Sequence, residues 1–229
     1  MTVKICFYGN NTDYSNQVKT ALEKAGYQLS FSCCDRNTNL IISAAYGRKI
    51  TADELAAAKY GGLNLHPSLL PAYRGPAPVP QQILDGVTES GISIIKMTDK
   101  FDAGPIVSQE KVAVLPQDTS QDLLNRCFLA GAKLLIKILP RYLSTKITLK
   151  IQDETQATYT RKFTKADGYI SWEEFKIGVP ERKIRALFPW PGVWTKMPNG
   201  KILKILPFNR LQIEGKQPIT YQQFKAGYL

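Results

Sequence analysis

Strand-like and helix-like segments alternate along the first 145 residues, and this alternation restricts the possible fold more than any other feature. Here a strand-like segment is a short apolar run, and a helix-like segment repeats apolar residues at helical spacing. The strand-like segments are 3–9, 29–34, 40–46, 62–65, 91–97 and 105–114. The helix-like segments are 14–25, 52–58 and a long one that opens at 118–122. This order predicts an α/β fold: an open, mostly parallel, Rossmann-like sheet with helices on both faces.

The character of the sequence changes after Pro140. Residues 147–170 are polar and irregular, so we expect a linker between a catalytic domain at 1–146 and a small basic C-terminal domain at 171–229. In the latter, a helical pattern at 175–187 precedes β-like segments at 193–197, 201–206 and 210–213. We predict a small β-rich domain with a hairpin turn at Pro198-Asn199-Gly200.

The charge of the chain is unevenly distributed. The net charge is +11, and residues 150–229 hold 14 basic and 7 acidic side chains. A basic excess concentrated in one region is typical of a surface that faces nucleic acid, although a solvated basic surface explains it equally well.

Membrane insertion and metal binding are not expected. No run of eighteen apolar residues occurs, and residues 1–7 resemble a first strand and not a signal peptide. The four cysteines, at positions 6, 33, 34 and 127, form no C-x-x-C pair and have no histidine at ligand spacing. We therefore expect a cytoplasmic protein with free, buried thiols and no metal.

His66 is the only histidine of the chain, and it lies where a predicted strand ends. A single histidine is more often structural than catalytic, so the neighbouring residues must show whether a catalytic role is indicated. Asn64 precedes it by two residues, which in a strand places both side chains on the same face. Asp102 lies in a loop after another predicted strand, beside Gly104 and Pro105, which favour a sharp turn.

An amide, an imidazole and a carboxylate together suit acyl transfer to an amine. The amide and a protonated imidazole can stabilise the oxyanion of a tetrahedral intermediate, while the carboxylate holds the imidazolium or accepts the proton of the amine. The amine is itself the nucleophile. Ser68 lies nearby, but it lacks the G-x-S-x-G pattern of a nucleophilic serine.

Several segments resemble a known enzyme family. Residues 64–78 are similar to the active-site segment of enzymes that transfer a formyl group from 10-formyltetrahydrofolate, and residues 91–107 resemble their second signature. The Tyr-Arg-Gly-Pro-Ala-Pro run at 73–78, and residues 152–159, 184–192 and 212–227, resemble the methionyl-tRNA formyltransferases of that family in particular. The similarity covers nearly the whole chain.

The resemblance implies roles for individual residues and a reduced OB-like form for the C-terminal domain. It implies catalysis by Asn64, His66 and Asp102. It implies folate contacts at Ser68, Leu69, Leu70 and Pro71, and at a turn against the pterin ring formed by Ala45, Tyr46 and Gly47. The implied acceptor is methionyl initiator tRNA, bound by a monomer, with candidate contacts at Arg36, Arg182, Lys183 and Arg185. Arg74 is a candidate for a phosphate or the folate glutamate tail, or for a structural salt bridge.

The chain also departs from the family pattern. The strand-like segment at 29–34 leads almost directly into 40–46, where the family usually has another strand–helix stretch and a basic loop that grips the tRNA acceptor end. The C-terminal part also lacks several strands. Two alternatives therefore stay open: a formyltransferase for a small amine such as an amino sugar nucleotide, and a non-catalytic remnant that binds RNA or folate.

Overall fold

A computed structural model of the chain describes residues 3–31 and 37–228. The chain divides into two compact units. Unit one consists of Met1–Pro78, Thr88–Ala113 and Leu124–Arg161, and unit two of Val79–Val87, Val114–Leu123 and Lys162–Leu229. The predicted linker at 147–170 is thus divided at Arg161: its first part belongs to unit one and its second part to unit two.

Ten strands and seven α-helices occur among the described residues. The strands are β1 Lys4–Gly9, β2 Gln28–Phe31, β3 Leu40–Ala44, β4 Gly62–His66, β5 Glu89–Lys96, β6 Ile106–Ala113, β7 Val193–Lys196, β8 Ile202–Leu206, β9 Arg210–Ile213 and β10 Ile219–Thr220. The helices are α1 Asp13–Lys24, α2 Ala52–Ala57, α3 Pro78–Asp85, α4 Ser120–Leu143, α5 Trp172–Ile177, α6 Glu181–Leu187 and α7 Tyr221–Tyr228. None of these helices is both long and apolar enough to cross a membrane.

The large sheet has the strand order β2-β1-β3-β4-β5-β6. The first four strands are parallel, and β5 and β6 are antiparallel to their neighbours. All five residues of β3 are buried, as expected for a central strand covered on both faces. The predicted open, mostly parallel sheet is therefore confirmed, and the carboxyl ends of β1, β3 and β4 lie at one edge.

The second sheet, β10-β9-β8-β7, is small and antiparallel. Its β7–β8 hairpin turns at the predicted Pro198-Asn199-Gly200, where the Met197 N–H donates to the Lys201 carbonyl at 2.9 Å. Leu203, Ile205, Leu211 and Ile213 alternate with exposed or half-buried residues along β8 and β9 and form the buried face. The predicted β-rich C-terminal domain is confirmed.

The prediction of one helix at 175–187 was wrong. Two helices, α5 and α6, occupy this region, because Gly178 adopts a backbone φ of 122° and Pro180 lacks the N–H that a continuous helix needs. The sequence patterns also did not predict α3 or α7. Cys33 and Cys34, predicted to lie in the second strand, are outside the described residues.

Helix α4 packs closely on the strand that carries Asn64 and His66. A Cβ atom at Gly131 would lie 2.8 Å from Ile92 Cγ1 on β5 and 3.2 Å from Leu65 Cδ2 on β4. Both distances are shorter than an ordinary van der Waals contact, so only a residue without a side chain allows this approach.

Gly131→Val should therefore destabilise the protein by about 2 kcal/mol, through forced displacement of Leu65 and Ile92. Urea unfolding followed by circular dichroism measures the change. Lys133→Val is the control, because it introduces the same β-branched residue at an exposed position of α4 and should cost only about 0.5 kcal/mol. Equal losses in the two variants would contradict the close packing.

Candidate active site

Asn64, His66 and Asp102 meet at the end of β4. Asn64 Nδ2 donates to Asp102 Oδ1 at 3.3 Å, and His66 Nδ1 lies 3.4 Å from the same oxygen. The side chains of His66 and Asp102 are 5% and 11% exposed. The structure therefore brings the three residues together around one carboxylate oxygen, in a largely buried position.

The His66 ring lies between two groups that only accept hydrogen bonds. Its Nε2 is 2.9 Å from the Tyr73 carbonyl oxygen, and its Nδ1 faces the Asp102 carboxylate. A neutral imidazole carries one N–H and can satisfy one of these acceptors, whereas an imidazolium donates to both. Both ring nitrogens of His66 therefore face acceptors, one from the main chain and one from a side chain.

Asp102 lies in a tight turn between β5 and β6. Its φ is 53°, in the left-handed region that non-glycine residues rarely adopt. Two residues on, a Cβ at Gly104 would collide with the carbonyl oxygen of Lys96, so the turn needs glycine there. The second carboxylate oxygen of Asp102 accepts the Gly75 N–H at 2.9 Å. Both oxygens of the carboxylate thus have donors close by.

A buried polar network lies behind this turn, and the sequence patterns did not assign it a role. Gln152 Nε2 donates to the carbonyl oxygens of Asp102 at 2.8 Å and Gly104 at 2.7 Å. Its Oε1 accepts from Arg74 Nε at 3.1 Å and Nη2 at 2.8 Å. Gln152 falls within the predicted linker, although its segment was one of those that resemble the methionyl-tRNA formyltransferases.

Arg74 is a structural residue in this arrangement. Its side chain is 1% exposed, and both terminal nitrogens donate to the Glu154 carboxylate at 2.8 Å. These hydrogen bonds hold the pKa of Arg74 above its ordinary value and that of Glu154 below its ordinary value. Of the two roles considered for Arg74, the structure favours the salt bridge over a phosphate or folate contact.

The segment predicted to contact folate follows His66 directly. Ser68 Oγ donates to the Ala72 carbonyl at 2.7 Å, and the Leu70–Pro71 peptide bond is cis. The Leu70 N–H donates to Ser93 Oγ at 3.0 Å, and the Leu70 carbonyl accepts from Gln109 at 3.0 Å. Ser68 and Leu70 are buried, while Leu69 and Pro71 are half-buried. Hydrogen bonds from β5 and β6 therefore hold this segment in place.

The other predicted folate segment lies at the same edge of the sheet. β3 and β4 are paired with Ala44 opposite Leu65, so the turn Ala45-Tyr46-Gly47 leaves its strand beside His66. Tyr46 packs on Tyr8, with ring centroids 4.7 Å apart. Gly47 is exposed. The parallel register thus brings both predicted folate segments to the strand end that carries His66.

The candidate nucleic-acid residues are described in part. Arg36 lies outside the described residues. Arg182, Lys183 and Arg185 lie on α6 in unit two, where Arg182 is exposed and Lys183 and Arg185 are half-buried. Arg185 Nη1 donates to the Asp118 carbonyl at 2.7 Å, so this side chain supports its own unit. Arg182 and Lys183 are the better placed for an external partner.

Metal ligands do not gather in the part of the chain that the structure describes. Residues 3–31 and 37–228 contain no group of three or more His, Cys, Asp or Glu side chains that could hold a metal ion. Cys6 and Cys127 are buried, and neither takes part in a disulfide.

Comparison with known protein families identifies the chain's relatives. A family model described as "Formyl transferase" matches residues 17–139, and a second, "Formyl transferase, C-terminal domain", matches residues 162–218. Among curated proteins, the methionyl-tRNA formyltransferase of Dehalococcoides mccartyi (strain CBDB1) is 41% identical over 168 residues, which are 73% of this chain and 53% of that protein. The chain spans about half the length of the curated relatives it matches.

Solved structures share the fold at low sequence identity. A methionyl-tRNA formyltransferase from Clostridium thermocellum aligns over 95% of this chain and 96% of its own, with a TM-score of 0.67 and 16% identity. A formyltransferase from Anoxybacillus kamchatkensis, in complex with UDP-4,6-dideoxy-4-formamido-L-AltNAc and tetrahydrofolate, aligns over 69% of this chain and 85% of its own. Its TM-score is 0.58 and its identity is 24%.

The lowered pKa of Glu154 predicts a specific dependence of stability on pH. A carboxylate with a lowered pKa stabilises the folded state at a pH above its ordinary pKa of about 4.3, and this contribution is lost as the pH falls through the lowered value. Glu154→Gln should therefore lower the Tm at pH 7, and the difference in Tm from the unsubstituted protein should narrow as the pH falls below about 4.3.

Thermal unfolding by circular dichroism across this range measures the gap. Glu23→Gln is the control, because Glu23 forms only a 3.9 Å surface pair with Lys19 and its removal should change the Tm little at any pH. A Tm difference for Glu154→Gln that stays constant from pH 7 to the lowest pH at which the protein is folded would contradict the lowered pKa of Glu154.

Proposed function

The chain belongs to the formyl transferase family, and on that basis we propose that it transfers the formyl group of 10-formyltetrahydrofolate to the amino group of methionyl initiator tRNA. The observation that carries the proposal is the meeting of Asn64, His66 and Asp102 at one buried carboxylate. Formyl transfer needs a donor for the oxyanion and an acceptor for a proton, and this arrangement supplies both.

The proposed reaction begins with attack of the methionyl amine on the formyl carbon. The oxygen of the resulting tetrahedral intermediate carries a negative charge. In this proposal the Asn64 amide stabilises it by a hydrogen bond, and a protonated His66, whose two N–H bonds face Tyr73 and Asp102, stabilises it by its positive charge. The Asn64 amide has two N–H bonds, and Asp102 receives one of them, so the other can serve the oxyanion. Asp102 accepts the proton of the amine. The bond from the formyl carbon to the folate nitrogen then breaks, and that nitrogen takes a proton to give tetrahydrofolate.

The folate is proposed to lie along the two segments at the end of β3 and β4. Ser68 to Pro71 would line one side and Ala45 to Gly47 the other, with the pterin ring against the turn. The support is their position: both segments leave the sheet beside His66, and Leu69, Pro71, Ala45 and Tyr46 are half-buried. Apolar walls with a few fixed polar groups are typical of small-molecule sites.

The proposed acceptor rests on different evidence. The curated relatives at about 40% identity are named methionyl-tRNA formyltransferases. The C-terminal third carries the basic excess of the chain, and Arg182 and Lys183 on α6 are accessible to a phosphate backbone.

A second candidate acceptor is an amino sugar nucleotide. The Anoxybacillus kamchatkensis enzyme, whose complex holds a formylated UDP-sugar, shares the fold, and the chain spans only half the length of its curated relatives. The catalytic chemistry would be the same, because the acceptor in both cases is a primary amine.

Loss of any one of the three central residues should slow formyl transfer. His66→Ala, Asn64→Ala and Asp102→Asn should each lower kcat by about 10²- to 10⁴-fold, because each removes a group that stabilises the oxyanion or accepts the proton. Release of tetrahydrofolate with purified protein measures the rate. Asp99→Asn is the matched control: it makes the same change at an exposed position of the same loop and should leave kcat unchanged. Activity that survives in His66→Ala would contradict the mechanism, and no transfer to any amine would favour a non-catalytic remnant.

The acceptor is tested by a direct comparison of charged initiator tRNA with UDP-linked amino sugars. With tRNA as the acceptor, KM should rise steeply with KCl, because binding releases counterions from the phosphates. The double variant Arg182→Glu/Lys183→Glu should raise the KM for tRNA at least tenfold and leave the KM for 10-formyltetrahydrofolate unchanged. Lys137→Glu, an exposed position on α4, is the control. Faster transfer to an amino sugar, without salt dependence, would favour the second candidate.

A further inference from the structure

We propose that Gln152 is a positioning residue: held in place by Arg74, it fixes the backbone of Asp102 so that the carboxylate meets Asn64 and His66. This inference rests on the proposed function, in which Asp102 is catalytic. It assigns a role in the reaction to a buried amide that lies fifty residues from Asp102 in the sequence.

The hydrogen bonds of Gln152 leave its amide no alternative orientation. Both N–H bonds of Nε2 are used, by the carbonyl oxygens of Asp102 and Gly104, and Oε1 accepts twice from Arg74. The side chain belongs to a residue that is 5% exposed. A reversed amide would set its oxygen against two carbonyls and its N–H bonds against the guanidinium. The position therefore requires a side chain such as glutamine, whose NH₂ group donates hydrogen bonds and whose carbonyl oxygen accepts them.

The conformation that Gln152 supports is an unfavourable one. A left-handed backbone costs a non-glycine residue about 1 kcal/mol or more, and Asp102 has a φ of 53°. Such conformations persist where the surroundings hold them. Here the two carbonyls that flank Ala103 are bound by a single amide group, so Gln152 holds the turn at both of its ends.

The contacts form a closed ring around Asp102. Its carboxylate accepts the Gly75 N–H, and its carbonyl accepts from Gln152. Gln152 is bound by the Arg74 guanidinium, and Arg74 is joined to Gly75 by a peptide bond. The side chain and the main chain of Asp102 are thus tied to the same dipeptide. A substitution of Gln152 should therefore displace the Asp102 carboxylate, although the hydrogen bonds described for Gln152 do not include one to Asn64 or His66.

Gln152→Glu is the sharpest test of this role. The variant keeps the size of the side chain and its contact with Arg74, but it places a carboxylate oxygen against two carbonyl oxygens. We expect kcat to fall about tenfold to a hundredfold, since small displacements of a reacting group have effects of this size, while the KM values for both substrates change less than twofold. Gln156→Glu, the same change at an exposed position four residues on, is the matched control and should retain full kcat.

A second measurement does not depend on activity. The dipeptide Arg74–Gly75 is the only Arg-Gly sequence in the chain, and His66 is the only histidine. Labelling with ¹³C-carbonyl arginine and ¹⁵N-glycine therefore gives one NMR cross-peak for the Gly75 amide, and labelled histidine gives one imidazole. Both signals should shift in Gln152→Glu and in Gln152→Ala, and neither should shift in Gln156→Glu.

The outcomes separate the two proposals. If the unsubstituted protein transfers no formyl group, the proposed function fails, while the NMR signals still report whether Gln152 controls the surroundings of Asp102. Unshifted Gly75 and His66 signals in both Gln152 variants, or a kcat within twofold of the unsubstituted protein in Gln152→Glu, would overturn the positioning role. A parallel loss of folded protein and activity, with KM values raised together, would also overturn it in favour of a purely structural role.

Discussion

The hydrogen bond between the Asp102 carboxylate and the Gly75 N–H joins two turns that are far apart in the sequence, and the candidate site depends on it. One turn follows β4 and supplies the Tyr73 carbonyl that binds His66. The other connects β5 with β6 and supplies Asp102 itself. The registers set Asn64 of β4 opposite Ile95 of β5, and Ile95 opposite Ile106 of β6, so the turn that precedes β6 lies near Asn64 and a short polar contact can join the two turns.

The segment at 152–160 holds both turns from outside the sheet. Gln152 binds the Asp102 turn. Thr158 and Thr160 use main-chain and side-chain groups to bind the N–H groups of Tyr73 and Arg74 and the Arg74 carbonyl in the other turn. The segment has little regular secondary structure, which explains why its polar composition resembles a linker. Its polar groups are instead used in specific hydrogen bonds, as buried polar groups in proteins generally are.

The charge arrangement of the site also follows from its burial. Arg74 is fully buried, yet its partner Glu154 is exposed on one side, so the pair is only partly removed from water. Much of the desolvation of the guanidinium is offset by hydrogen bonds to Gln152, Glu154 and the Tyr159 hydroxyl. Around His66, by contrast, the acceptors exceed the donors of a neutral ring. The guanidinium and the imidazole thus have separate acceptors: Gln152 and Glu154 for Arg74, and Asp102 and the Tyr73 carbonyl for His66.

The amino-acid sequence was enough to predict most of the strands and the residues that meet at the end of β4, although it missed α3 and α7. Apolar periodicity predicted the six strands of the large sheet and the small β-rich domain, and the spacing of Asn64 and His66 placed both on one face of a strand. Periodicity is a local property, however, and the helix it predicted at 175–187 is interrupted by the helix-breaking residues Gly178 and Pro180. Which distant groups contact one another, by contrast, followed only from the three-dimensional arrangement of the strands. The partners of Asp102 and His66 include the Gly75 N–H, the Tyr73 carbonyl and, through Gln152, the guanidinium of Arg74. Most of these contacts join groups that lie 27 to 78 residues apart in the sequence. A local sequence pattern therefore cannot predict them, because they form only when the folded sheet brings its strand ends together.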